Sequence, residues 1–192
     1  MAELIYRPPT ELDYFDVIVA LDKWWDYPQA DARSMQRAAL VPRLFFQHFT
    51  DTSFVVFDEA RLRAFLIGFL SQSRPEEAYI HFVGIDPGYR GRGLGADLYE
   101  RFFAIVRQHR RRTVRAITSA SNAGSQAFHR RMGFSVSDPI ANYDEQLSRP
   151  VDLRCAADGE EATSRSEALY AKLQLELRIP HLSVKSQMGA RP

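Results

Sequence analysis

An apolar strand, a glycine-rich turn and a helix follow one another between Tyr79 and Phe103, and no other stretch constrains the fold as much. Residues 79–85 form a mostly apolar run that Asp86-Pro87-Gly88 ends, because proline fixes φ and lacks an N–H while glycine relaxes the steric limits. The helix that follows is predicted from the fourfold spacing of its apolar residues, which are Leu94, Leu98, Phe102 and Val106.

Between the strand and the helix lies the sequence Arg-Gly-Arg-Gly-Leu-Gly, at positions 90–95. The first N–H groups of a helix have no intrahelical partner and carry the positive end of its dipole, and glycines let an anion approach that backbone closely. Arg90 and Arg92 add positive charge in a fork geometry that suits phosphate. The stretch therefore predicts a phosphate-binding loop. The alternative is an arginine-rich β–α turn that binds nothing.

The spacing of this loop narrows the choice of ligand. Gly91, Gly93 and Gly95 are spaced G-x-G-x-G, whereas the dinucleotide fingerprint requires G-x-G-x-x-G in a longer βαβ unit. A P-loop would require Gly-Lys followed by Ser or Thr, which this loop lacks. The loop does match the pattern R-x-x-G-x-G, which begins at Arg90.

A second pattern, N-x-x-S-x-x-F-H-x-x-x-G-F, occupies residues 122–134. Asn122 suits a helix N-cap, and Gly133 suits the left-handed residue that closes a helix. In this order the two patterns resemble the acetyl-CoA loop and a later helix of the GCN5-related N-acetyltransferases, the GNAT superfamily. The resemblance covers roughly residues 4–138 and is strongest over residues 79–134.

The resemblance implies an α/β (α+β) fold, in which a mixed, mostly antiparallel twisted sheet splays at the central Tyr79 strand and is flanked by helices. It implies acetyl-CoA as cosubstrate and no metal, with direct attack of an amine on the thioester and no acyl-enzyme. A strand N–H near Val83–Gly84 would then stabilise the oxyanion. The implied cofactor-binding residues are Val83, Gly84, Ile85, Arg90, Gly91, Arg92, Gly93, Leu94, Gly95, Asn122, Ser125 and Phe128.

Two histidines are candidates for the proton transfers. His81 lies two residues beyond Tyr79, and an ordinary pKa of about 6.5 suits a base near neutral pH. A structural histidine is the equal alternative. Tyr79 stands where the histone-acetylating branch has a glutamate, so the role of that glutamate's carboxylate cannot be assigned to this position. His129 stands where many relatives have tyrosine and is predicted to protonate the departing CoA thiolate, with Asn122 or water as alternatives. Cys155 lies outside both patterns, which disfavours a cysteine nucleophile.

Composition and charge limit the classes of function. The 192 residues, 45% of them hydrophobic, fit one domain, and no apolar run approaches the roughly 20 residues of a membrane helix. The N-terminus lacks a signal-peptide layout and the single cysteine cannot form an internal disulfide, so we expect a cytoplasmic protein without a membrane partner. Residues 87–135 hold ten arginines against Asp97 and Glu100, which suits CoA better than nucleic acid.

We expect residues 1–157 to form the acetyltransferase domain and residues 158–192 to add a C-terminal helix and tail. An apolar stripe of Leu169, Leu173 and Leu177 would pack that helix on its own domain or between two subunits, and a homodimer is the hypothesis. The acceptor is predicted to be the primary amine of a small molecule or peptide, whose identity the fold does not specify. The alternative function is a non-catalytic acyl-CoA-binding regulatory module on the same fold.

Overall fold

The computed structural model describes residues 3–24, 40–138 and 150–156, the last of these by backbone alone. Its helices are α1 (Tyr14–Trp24), α2 (Phe45–His48), α3 (Leu94–Gln108) and α4 (Ala123–Arg131), with 3-10 turns at Glu11–Asp13, Thr50–Thr52 and Pro87–Tyr89. Its strands are β1 (Leu4–Arg7), β2 (Phe54–Asp58), β3 (Arg61–Leu70), β4 (Glu77–Ile85), β5 (Thr113–Ser119), β6 (Ser135–Val136) and β7 (Pro150–Ala156).

The strands form one sheet in the order β1-β2-β3-β4-β5-β7-β6. All neighbours are antiparallel except β4 and β5, whose parallel pairing requires the crossover that α3 supplies. The central strand β3 is apolar on both faces, and its residues 64–68 are buried because helices cover both sides. The predicted mixed, mostly antiparallel sheet with flanking helices is confirmed.

Two hydrophobic cores lie on opposite faces of the sheet. The predicted stripe of α3 is buried against one face, where it contacts Ala78 and Ile80 of β4. The other face carries α1 and α2, which pack on Phe65 and Ile67 of β3. Each face of β4 therefore meets a different layer of helices.

The sheet splays at β4. The parallel pairing of β4 with β5 ends at Ile80 opposite Ala116, although β4 continues to Ile85 and β5 to Ser119. On its other side β4 stays paired with β3 as far as Ile85. A gap thus opens along one edge of the second half of β4, as the predicted splay requires.

A β-bulge lies where the two strands part. Ile67 of β3 pairs with Phe82 and Gly68 pairs with Ile80, so His81 is the extra residue of β4. A bulge bends its strand and shifts the alternation of side chains by one position. Val83 therefore packs in the same core as Ile80, on the α3 face.

A partly buried ion pair fixes the chain before α1. Arg7 donates to both carboxylate oxygens of Asp13, at 2.8 and 2.6 Å, and the backbone N–H of Thr10 donates to the same group at 2.6 Å. Burial raises the pKa of Asp13, but these hydrogen bonds outweigh burial and hold it below its ordinary value. After Thr10 the chain accordingly forms a 3-10 turn that leads into α1.

The remaining elements complete the sheet and its cover. Pro42 precedes α2, and a hairpin turn joins β2 to β3, where Glu59 has φ +52°. The last strand described is β7. Residues 25–39, 139–149 and 157–192 lie outside the described residues, and with them the C-terminal helix and the domain boundary. No helix in the described ranges is long and apolar enough to cross a membrane.

Candidate active site

The glycine-rich loop forms an open cradle in front of α3. Gly91 and Gly93 have φ values of +75° and +87°, which disfavour residues with a Cβ. A Cβ built on either glycine would meet no atom within 4 Å. We call these two residues the glycine cradle. The space in front of them and the unpaired N–H groups of the helix start suit a phosphate.

The two arginines of the loop lie in different environments. Arg90 donates from Nη2 to the Trp24 carbonyl oxygen at 3.0 Å and from Nε to the Ile85 carbonyl oxygen at 3.3 Å. It thereby joins the end of α1 to the end of β4. The guanidinium of Arg92 lies over the Tyr89 ring, 4.8 Å from its centroid, and Arg92 is exposed. Both arginines are exposed, but Arg90 is engaged by two backbone carbonyl oxygens whereas Arg92 lies on a ring face.

The arginines near the end of α3 lie far from this loop. Arg110, Arg111 and Arg112 follow Gln108, the last residue of the helix. Fifteen helical residues span about 22 Å, at roughly 1.5 Å per residue. These cations therefore complement the helix C-terminus, as their position in the sequence predicts, and lie away from the glycine cradle.

Three side chains from β2, β3 and the loop hold Tyr89 beside the cradle. The Tyr89 hydroxyl donates to Asp58, and Arg63 lies over the Tyr89 ring at 4.5 Å. Arg63 also pairs with Asp86 through an Nη1–Oδ2 contact of 2.8 Å. The hydrogen bond to Asp58, followed by burial, raises the pKa of Tyr89. We call Asp58, Arg63, Asp86 and Tyr89 the tyrosine clamp.

Helix α4 lies against the start of α3. A Cβ on Gly95 would come within 3.3 Å of the Phe128 ring, so the glycine permits this close approach. The Asn122 side chain accepts a hydrogen bond from the Ser125 N–H at 3.0 Å, which confirms the predicted N-cap. The second motif therefore places Asn122, Ser125 and Phe128 on the helix next to the cradle.

His129, a residue of α4, is buried where this helix contacts α3. Only 4% of the residue is exposed, and the Tyr99 hydroxyl lies 2.8 Å from Nε2. The Ser125 carbonyl oxygen lies 2.8 Å from Nδ1. Because a carbonyl only accepts, Nδ1 carries the proton, and in the neutral ring Nε2 accepts from Tyr99. Burial lowers the pKa of His129, against the opposing effect of the Ser125 carbonyl. This geometry leaves no free proton on His129 and favours a structural role over the predicted acid role.

His81 lies on the bulge, on the face of the sheet that carries α2. Its ring stacks on Phe45 with centroids 4.6 Å apart, and its Nε2–H donates to the Leu40 carbonyl oxygen. Burial lowers the pKa of His81, and the Leu40 carbonyl opposes this effect. The ring is therefore favoured as the neutral form with a lone pair on Nδ1, which is the state a general base requires.

Several residues of the site carry no recognisable signal in the sequence. Tyr99 is a buried residue of α3. The only sequence signal for its contact with α4 is the apolar stripe of α3. Asp58 and Arg63 come from a hairpin 31 and 26 positions before Tyr89, and nothing in their spacing indicates the clamp. In the described part of the chain, no group of three or more His, Cys, Asp or Glu residues could hold a metal ion.

Comparison with known proteins gives the family. The sequence profile of the Acetyltransferase (GNAT) family matches residues 19–134, which is more than half of the chain. The chain therefore belongs to the GNAT acetyltransferase family. Both motifs and the splayed strand lie within the matched range.

Curated relatives match the chain over short stretches. The mycothiol acetyltransferase of Corynebacterium glutamicum is 33% identical over 82 residues, which are 42% of this chain and 28% of that protein. The L-2,4-diaminobutyric acid acetyltransferase of Shouchella clausii is 30% identical over 46% of this chain and 50% of its own length. The chain thus spans no more than half the length of these relatives.

Solved structures share the fold. Ard1 from Thermoplasma volcanium has a TM-score of 0.63 at 19% identity, covering 80% of this chain and 97% of that one. YncA from Salmonella typhimurium, solved with its cofactor acetyl-CoA, has a TM-score of 0.57 at 15% identity, covering 83% and 96%. At such identities the likeness concerns the fold alone.

Proposed function

We propose that the protein transfers an acetyl group from acetyl-CoA to a primary amine by direct attack, without an acyl-enzyme. The observation that carries the proposal is the open glycine cradle at the start of α3, beside the strand edge where the pairing of β4 with β5 has ended. In YncA, a protein of the same fold, the cofactor is acetyl-CoA. Family membership adds independent support.

Three segments of the chain would bind different parts of acetyl-CoA. The N–H groups of positions 90–95 would hold the pyrophosphate, with Arg92 adding charge beside it. Val83, Gly84 and Ile85 offer backbone groups on the free edge of β4, along which an extended arm can pair as an added strand. Asn122, Ser125 and Phe128 would line the side formed by α4.

The reaction requires an oxyanion donor and a proton acceptor. A β4 N–H near Val83–Gly84 would donate to the oxygen that gains charge as the amine attacks, because a fixed donor stabilises developing charge without reorganisation. Neutral His81 would take the proton of the amine through Nδ1 or an intervening water. With His129 held by Tyr99 and Ser125, the thiolate would take its proton from solvent or through Ser125.

Calorimetric titration with CoA and acetyl-CoA tests the cradle, on wild type and on Gly93→Asp and Gly93→Asn. Asparagine tolerates a positive φ and matches aspartate in shape, so the difference between the variants reports charge repulsion by the phosphates. We expect Gly93→Asn to weaken binding at least tenfold and Gly93→Asp to weaken it further. Gly88→Ala, in the preceding turn where φ is not positive, should bind like wild type.

Thiol release with a panel of primary amines then tests transfer. Turnover by wild type and its loss in Gly93→Asp would support the enzyme. Saturable CoA binding with no thiol release for any amine would instead support the alternative, a non-catalytic acyl-CoA-binding regulatory module. Tyr79, which stands where the histone-acetylating branch of the family has a glutamate, keeps that alternative open. Unchanged binding in both Gly93 variants would overturn the cradle as the CoA site.

A further inference from the structure

Five aromatic side chains form a continuous surface on β3, β4 and α2. The centroid of Phe45 lies 4.6 Å from that of His81 and 5.1 Å from that of Phe49. Phe69 extends the chain of contacts, since it lies 5.5 Å from both Phe49 and Tyr79. We call these five residues the aromatic shelf.

The aromatic shelf is partly open. Phe49, Phe69, Tyr79 and His81 are half-buried, and Phe45 is 9% exposed. By contrast, the rings of Phe65 and Phe102 in the two cores are fully covered. The shelf therefore packs as a rigid layer and still presents ring surface to a ligand.

The shelf lies beside the point where β4 parts from β5. His81 is the bulged residue, one position beyond the last β4–β5 pair. The cradle leads into α3 on the opposite face of the sheet, whereas the shelf contacts the core of α1 and α2. A second substrate that reaches the splay from the face away from α3 would therefore pass over the shelf.

Charges near the shelf are already engaged. Arg115 pairs in register with Tyr79, and its Nη1 lies 3.7 Å from a carboxylate oxygen of Glu77. The same carboxylate contacts Arg74 at 3.3 Å. Glu77 is nearly buried, while the Arg74 side chain is 53% exposed. Among the described residues, the shelf therefore offers a ligand mainly ring faces and one imidazole.

From this geometry we infer that the acceptor is a primary amine carrying an aromatic ring, an arylalkylamine, whose ring stacks on the aromatic shelf. The inference rests on the proposed acetyl transfer. Offset or edge contacts with Phe69 and Tyr79 would hold the ring, since aromatic pairs gain energy beyond the area that they bury. The amine would then point towards His81 and the free edge of β4.

The test compares kcat/KM for 2-phenylethylamine, n-hexylamine and L-2,4-diaminobutyrate, with thiol release as the readout. Phenylethylamine and hexylamine both carry an apolar group on a primary amine, so their ratio isolates the ring. We expect about a twofold to tenfold preference for phenylethylamine over hexylamine, the range that one aromatic contact provides. Diaminobutyrate should be the poorest of the three.

Phe69→Leu should reduce the phenylethylamine preference severalfold while CoA affinity by calorimetry stays unchanged. Phe103→Leu, which removes a ring from the α3 face, is the matched control and should keep the preference. An equal or higher kcat/KM for hexylamine or diaminobutyrate would overturn the inference. CoA binding with no turnover of any amine, or no CoA binding by folded wild type, would instead overturn the proposed function.

Discussion

Tyr99 and His129 form a buried hydrogen-bonded pair, although a histidine at this position suggests catalysis by its type. Tyr99 is fully buried, and burial raises the pKa of its phenol far above the ordinary value. Its hydroxyl is hydrogen-bonded to the His129 ring, and the aromatic rings packed around this pair include Phe128 and Phe134. The pair links α3 to α4 and thereby holds Phe128 beside Gly95.

Tyr99→Phe removes one hydroxyl and leaves Nε2 of His129 buried without its donor. We expect a loss of about 1–3 kcal/mol in the free energy of unfolding, because an unsatisfied buried acceptor bears its full desolvation cost. The pH–rate profile should stay unchanged, since neither group reaches the substrate. Urea denaturation and steady-state rates measure the two effects. If His129→Gln abolished the alkaline limb of the pH–rate profile while the fold stayed intact, this result would support the acid role predicted from the sequence.

The tyrosine clamp positions the loop rather than contacting the reacting atoms. Tyr89→Phe deletes the hydrogen bond to Asp58 but keeps the ring that lies under Arg63 and Arg92. We expect KM for acetyl-CoA to rise severalfold with kcat nearly unchanged, because the loop would lose order and the chemical groups would not move. Initial-rate kinetics at saturating amine give the two constants. A fall in kcat with constant KM would contradict this role.

At the scale of elements, the packing of α3 on β3 depends on one glycine opposite the bulge. Gly68 pairs with Ile80, and its carbonyl oxygen accepts from Thr52 Oγ1 at 2.6 Å and Ser53 Oγ at 3.2 Å. A Cβ at this position would lie 2.5 Å from Cε2 of Phe102. The glycine thus lets α3 approach the sheet where β4 turns away from β5.

Gly68→Ala should destabilise the protein by about 1–3 kcal/mol, because Phe102 is fully buried and cannot move without straining its neighbours. The midpoint of urea denaturation measures this loss. Adding Phe102→Leu should recover part of it by making room for the methyl group, and that recovery identifies the contact as the cause. Gly88→Ala, in an exposed turn, serves as the control and should shift the midpoint little. A Gly68→Ala midpoint equal to that of wild type would refute the close contact.

The elements that follow local rules were predictable from the sequence. Fourfold apolar spacing predicted α3, the Asn122 cap predicted α4, and the Asp86-Pro87-Gly88 sequence predicted the end of β4. The bulge at His81 was not predictable, because it depends on how β3 and β4 pair rather than on any turn residue. The burial of His129 was missed for the same reason, since its partner Tyr99 is 30 positions away.

For the whole molecule, pH should control stability through three buried or half-buried groups with lowered pKa values. His81 and His129 take up a proton in the unfolded chain near the ordinary pKa of about 6.5, before the folded protein does. The unfolded state therefore binds more protons below that pH, and stability rises with pH through this window. Asp13 contributes stability that is present above its unfolded pKa of about 3.9 and is lost as pH falls through its lower folded pKa.

Urea denaturation at intervals from pH 4 to 8 separates these contributions. We expect the free energy of unfolding of wild type to level off above about pH 7.5 and to fall towards pH 5 as the unfolded chain gains protons on histidine. Replacing His81 and His129 by glutamine should flatten the curve between pH 5 and 7, whatever its absolute level. Asp13→Asn should lower the curve at pH 7 and leave its slope above pH 5 unchanged, because the carboxylate is ionised in both states there. An unaltered slope in the double histidine variant would show that other groups govern the acid sensitivity of the fold.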